Sequence, residues 1–147
     1  MLIKLYYYEY NKPKHVNSVM ALDIQKILLV EDCASDACLI QQMLGTSLSF
    51  IRYDFTTVSR LADALAALDS ESFSLMLLDL NLLDSTGVAT VSALHGSRPD
   101  IPIIVYSGVN DPQLRQQAIL CGARHCVEKG KESGFVIKFM IEQATTI

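Results

Sequence analysis

The chain has 147 residues, a formal net charge of −4, and hydrophobic side chains at half its positions. That length suits one domain rather than two, and the composition supports a sizeable core. The acidic balance argues against direct nucleic-acid binding, whose domains are usually basic, and no apolar run approaches the ~20 residues of a bilayer span.

Residues 1–23 read as an N-terminal extension unlike the rest. Tyr6, Tyr7, Tyr8 and Tyr10 mix with Lys4, Lys12 and Lys14 without a helical or strand period. A flexible tail is expected, or a translation start at Met20. The first residues lack the long apolar stretch and small-residue cleavage site of a signal peptide, so the expected location is cytoplasmic. The folded domain is expected over 24–147.

Ile24 to Val30 predicts a strand with an apolar end, stopping at Glu31-Asp32. Ser35 and Asp36 suit a helix start. Ala37, Leu39, Ile40, Met43 and Leu44 are expected to form its buried stripe, with Gly45 at its end. Ile51 to Val58 is β-rich and predicts a second strand. Leu61, Ala64, Leu65 and Leu68 then fall at i, i+3, i+4 and i+7 of a second helix.

Phe73 to Asp79 carries the most apolar run, Leu75-Met76-Leu77-Leu78, straight into one carboxylate. So short a run predicts a strand buried on both faces. Thr86 to about His95 predicts a third helix, with Val88, Val91 and Leu94 inward. Ile101 to Tyr106 is a fourth buried strand, entered through Pro102 and ending at Ser107-Gly108. Asp111-Pro112 opens a fourth helix with a stripe of Leu114, Ala118 and Ile119. His125 to Val127 is a short fifth strand before Glu128-Lys129-Gly130. A last helix, about 131–143, is expected to bury Phe135, Val136, Phe139 and Met140.

Strand and helix thus alternate along the chain. Such alternation predicts an α/β fold: a doubly wound five-stranded parallel sheet with helices on both faces. Cys33, Cys38, Cys121 and Cys126 show no metal-finger or C-x-x-C spacing and are expected to be buried, reduced thiols acting as small hydrophobes.

In a parallel sheet every strand points its carboxyl end at one edge, where ligands bind. Asp79 alone could merely end a strand or cap a helix. The other ends bring Glu31, Asp32, Ser107 and Lys129 to the same edge. Clustered carboxylates repel, which raises their pKa values or recruits a cation. Oxygen donors with open positions suit Mg²⁺ beside phosphate oxygens. Asp79 is placed as a nucleophile toward phosphorus, Lys129 to hold a phosphoryl oxygen, and Ser107 to donate to the phosphoryl group once attached.

These segments resemble the receiver domain of bacterial two-component response regulators. The matching motifs are Lys26-Ile27-Leu28-Leu29-Val30-Glu31-Asp32, Leu78-Asp79-Leu80-Asn81-Leu82 with Gly87, Ile103-Ile104-Val105-Tyr106-Ser107-Gly108, and Gly122-Ala123 with Lys129. The resemblance covers about residues 24–143. It implies a flavodoxin-like (βα)5 fold with strand order 2-1-3-4-5 and Asp79 as phosphoacceptor. It implies Mg²⁺ positioned by Asp32 directly, by Glu31 through water, by Asp79, and by the Asn81 backbone carbonyl. Ser107 resembles the switch hydroxyl, and Lys129 the phosphate-binding lysine. The implied partners are a sensor histidine kinase or phosphotransfer protein and a downstream protein effector. The implied device is a stand-alone signalling domain, not an enzyme acting on a separate substrate.

Three positions depart from the family. Leu83 and Gly130 stand where proline is usual, and Gly130 removes a constraint on Lys129. Cys126 stands where an aromatic residue usually swings inward with the switch hydroxyl. Those departures keep a second reading open, a phosphorylation-independent interaction module. A third reading, a phosphohydrolase of the haloacid-dehalogenase type, wants an Asp two residues after the nucleophile, where this chain has Asn81.

Overall fold

The computed structural model describes residues 23–45, 51–108 and 111–146. Apart from Asp23, the N-terminal extension lies outside the described residues. The elements run β1 (Asp23–Val30), α1 (Ala34–Gly45), β2 (Ile51–Val58), α2 (Leu61–Ser70), β3 (Leu75–Leu78), α3 (Val88–Ser97), β4 (Ile103–Ser107), α4 (Pro112–Leu120), β5 (His125–Glu128) and α5 (Gly134–Thr145). The strands form one parallel sheet in the order β2-β1-β3-β4-β5. This is the expected flavodoxin-like α/β arrangement.

The pleat divides the core in two, because successive side chains on a strand point to opposite faces. On one face Leu28, Val30, Met76, Leu78, Ile103 and Val105 meet Ala64 and Leu68 of α2, Val91 and Leu94 of α3, and Ala118 of α4. On the other, Ile27, Leu29, Leu75, Leu77, Ile104 and Tyr106 meet Ala37, Ile40 and Leu44 of α1 and Ile137 and Ile141 of α5. The central strands β3 and β4 are buried throughout, as their unbroken apolar runs require. The edge strand β2 alternates between half-buried and exposed along most of its length.

Several boundaries and faces differ from the sequence reading. Strand β3 begins at Leu75 rather than Phe73, and Asp79 stands just beyond it. Helix α3 starts at Val88, because Gly87 takes φ +71°, a left-handed conformation that ends the preceding turn. Helix α5 starts three residues later than expected, where Ser133 caps it by accepting from the Val136 N–H at 3.3 Å. Its buried face carries Ile137, Ile141 and Ala144, while Phe135 and Phe139 are 75% and 55% exposed. Leu39 of α1 and Ile119 of α4 also face outward, and the four cysteines, free as expected, are not buried: Cys38 is exposed on α1 and the other three are half-buried.

Candidate functional site

The site begins with the backbone. The Glu31 N–H donates to the Val58 carbonyl at 2.9 Å, and the Asp79 N–H to the Val30 carbonyl at 2.9 Å. The Lys129 N–H donates to the Ser107 carbonyl at 2.8 Å. Glu31, Asp79 and Lys129 are thus each tied by a main-chain bond to the strand beside them. The sheet, not a loose loop, sets their spacing.

Glu31, Asp79 and Ser107 are buried, and Asp32 is exposed. Carboxylate oxygens of Glu31, Asp32 and Asp79 all lie within 4.8 Å of one another. Three acids at that separation repel unless a cation sits among them, and their oxygen-only donor set fits a hard divalent metal. Part of the compensation comes from the protein. The Lys129 ammonium donates to Glu31 Oε2 at 2.6 Å, to Asp36 Oδ2 at 2.9 Å and to Asp79 Oδ2 at 3.4 Å. It also stands 5.8 Å from the centre of the Tyr106 ring.

The titration directions follow from these contacts. Burial pushes the Glu31 carboxyl up, and the Asp79 charge adds to that, while Lys129 and the Cys33 N–H pull it back down. Burial disfavours the Lys129 ammonium, but its bonds to Glu31 and Asp36 and the charge of Asp79 outweigh this and hold its pKa above the usual lysine range. Lys129 is therefore a fixed positive charge near neutral pH.

The loop after Asp79 is compact. The Asn81 N–H donates to Asp79 Oδ1 at 3.4 Å, Leu82 to the Ser85 carbonyl, and Gly87 to the Leu80 carbonyl at 2.8 Å. Asn81 and Thr86 form an antiparallel bridge. Leu83 lies at the loop's exposed side, 71% accessible. Asp84 reaches back to α2, accepting from the Leu61 and Ala62 N–H groups at 2.8 and 3.1 Å.

All the acids expected at the sheet edge, together with Lys129 and Ser107, are found at the carboxyl ends of their strands. Two partners escaped the sequence reading. Asp36 was legible only as a helix start, yet it binds Lys129 across 93 positions of sequence. Asp84 was legible only as a turn residue. Nothing in local pattern marks either contact.

Cys126 is half-buried, and its thiol donates weakly to the Arg115 carbonyl at 3.8 Å. Burial raises its pKa. Cys126 and Ser107 line one small pocket of about 20 Å³, with Leu80, Val105 and Leu114 in its wall, which is room for a water. The Lys129–Gly130 bond is trans, and Gly130 takes φ +83°.

One parallel sheet covered by helices on both faces, with three clustered acids and a lysine at its carboxyl edge, defines a doubly wound α/β domain with a charged site at that edge. Residues 27–138 match the response regulator receiver domain, and the chain belongs to that family, a module of two-component systems. Over 105 residues, 71% of this chain, it is 41% identical to the luminescence regulatory protein LuxO of Vibrio campbellii and covers 22% of it. Over 104 residues, also 71% of this chain, it is 32% identical to the transcriptional regulatory protein KdpE of Staphylococcus aureus and covers 43% of it. The chain thus spans less than half the length of these curated relatives. The crystal structure of the Mn²⁺-bound response regulator Rcp1 shares the fold, with a TM-score of 0.62 at 24% identity over 82% of this chain and 89% of that one. No helix among the described residues is long and apolar enough to cross a membrane.

Proposed function

We propose that Asp79 accepts a phosphoryl group from a histidine kinase or phosphotransfer protein, and that the modified domain signals by binding a protein effector. The observation that carries this reading is the position of Asp79. It is a buried carboxylate, within 4.8 Å of two further acids and 3.4 Å from the Lys129 ammonium. An Asp79 oxygen attacks phosphorus and the donor's P–N bond breaks. The electron pair stays on the leaving imidazole, which gains a proton, and an acyl phosphate forms.

Mg²⁺ held by Glu31, Asp32, Asp79 and the Asn81 backbone carbonyl would neutralise charge on the phosphoryl oxygens. The choice of Mg²⁺ rests on the oxygen-only donor set. Lys129 pairs with another phosphoryl oxygen, and because its pKa lies above the usual lysine range it is charged at every relevant pH. Ser107 donates to the attached group. Attachment adds about −1.5 to −2 charges, judged by other phosphorylated side chains, and this charge draws Ser107 and the following loop inward. With Cys126 in place of an aromatic, the inward swing of a ring has no counterpart here. The signal leaves through Ser107 and its loop. The same reading places the domain in the cytoplasm, beside its phosphoryl donors, and assigns it no direct contact with nucleic acid.

The test is labelling with a phosphorylated donor or acetyl phosphate in the presence of Mg²⁺. The expected product is acid-labile, hydroxylamine-sensitive phosphate on the native chain and none on Asp79→Asn. Undiminished labelling of Asp79→Asn would overturn the assignment.

A further inference from the structure

We propose that Asp36 is a positioning residue that draws the Lys129 ammonium away from the phosphoacceptor and so weakens the site's hold on a phosphoryl group. This rests on the reading of Asp79 as phosphoacceptor.

The geometry is a competition for one ammonium. Lys129 Nζ lies closer to Glu31 and Asp36, at 2.6 and 2.9 Å, than to Asp79, at 3.4 Å. The Asp36 side chain is 40% exposed, against 8% for Asp79 and 2% for Glu31. Asp36 stands in the first turn of α1, so its pull on Lys129 comes from the solvent-facing side of the cluster. The Lys129 backbone is held by its N–H bond to the Ser107 carbonyl at 2.8 Å, while the position of its ammonium is set by the three carboxylates around it.

Asp36 also brings a fourth negative charge to a site whose proposed ligands have opposite signs. That charge repels an incoming phosphoryl group and engages the lysine that should hold it. It attracts a divalent cation. Removing it should therefore tighten anion binding and loosen cation binding. A residue that only supported the fold would weaken both when lost, and an idle surface acid would change neither.

The experiment compares the native chain with Asp36→Asn and Asp36→Glu by amide NMR. Mg²⁺ is titrated alone, and beryllofluoride is then titrated at saturating Mg²⁺. The expected Asp36→Asn result is a beryllofluoride midpoint lower by about threefold or more and a Mg²⁺ midpoint higher by about twofold or more. Those sizes are typical of one unit charge acting across a partly solvated site. Asp36→Glu should return both midpoints toward native values. Midpoints that move in the same direction, or not at all, overturn the proposal. Asp36→Ser, which suits a helix's first turn, makes the same comparison if Asp36→Asn does not fold. A native chain that ignores beryllofluoride at saturating Mg²⁺ overturns the phosphoacceptor reading and this inference together. A native response with unmoved Asp36→Asn midpoints overturns this inference alone.

Discussion

Lys129 and Glu31 meet across 98 positions of sequence at 2.6 Å, the shortest of the three bonds that the ammonium makes to carboxylates. The Glu31 side chain is 2% exposed and that of Lys129 17%. Removing one partner of such a pair leaves the other's charge desolvated and uncompensated. Without metal, Lys129→Ala should therefore lose about 2 kcal/mol of stability, below the full cost of breaking a buried pair because the cluster is open on one side. Mg²⁺ should bind the variant more tightly than the native chain and restore part of the loss. Urea denaturation with and without Mg²⁺ measures both. Equal stability of the two proteins in metal-free buffer would show that the pair contributes nothing net.

Asp84 supplies from a distant loop the cap that α2 lacks locally, since Arg60 at the N-cap position makes no side-chain bond to the helix. The Ala62 and Leu61 N–H groups lower the Asp84 pKa. A lowered carboxyl pKa contributes stability that is present above the ordinary carboxylate pKa and lost as pH falls through the folded value. The stability gap between the native chain and Asp84→Ala should thus be constant at neutral pH and close below about pH 4. Denaturant midpoints across that range check it, and a gap that persists unchanged into strong acid would refute the cap.

Tyr53 has the one buried side-chain polar atom among the described residues that makes no hydrogen bond, its hydroxyl. Burial, with the nearby Glu142 charge, pushes its pKa up to about 12. Tyr53→Phe removes an unsatisfied group and should stabilise the fold by about 0.5–1 kcal/mol. Below the unfolded pKa of about 10 both states hold the phenol proton; as pH rises from there to the folded value of about 12, ionisation favours the unfolded chain. The native chain should therefore lose stability between these limits, and Tyr53→Phe should lose less. Thermal melts at neutral and high pH decide this, and a destabilised Tyr53→Phe would contradict it.

Gly122 and Gly87 both take positive φ, +123° and +71°, but only one is crowded. A Cβ at Gly122 would lie 2.4 Å from Cγ of the His95 ring, while at Gly87 it would meet open space. Gly87→Ala should cost about 2 kcal/mol, the strain of a backbone at φ +71° and ψ −160°, a region essentially reserved for glycine. Gly122→Ala should cost about 4 kcal/mol, because α3 must shift or His95 must leave its place in addition. Comparable melting temperatures for the two variants would mean that the ring moves aside freely.

The sequence by itself determined the order of elements and which side chains share the sheet edge. Apolar runs such as Leu75-Met76-Leu77-Leu78 are too short and too unbroken for surface helices, and their alternation with helical stripes leaves a parallel sheet as the consistent solution. Once strands are parallel, their carboxyl ends must share an edge. Glu31, Asp32, Asp79, Ser107 and Lys129 could therefore be grouped without coordinates.

The tertiary structure decided what periodicity leaves degenerate. On α5, Phe135 and Phe139 share one face and Ile137, Ile141 and Ala144 another, and both have helical spacing. Packing against α1 and the sheet chose the second. It also decided the contacts of Asp36 and Asp84. Each joins residues far apart in the chain, and a carboxylate's partner depends on which element folds over it rather than on its neighbours in sequence.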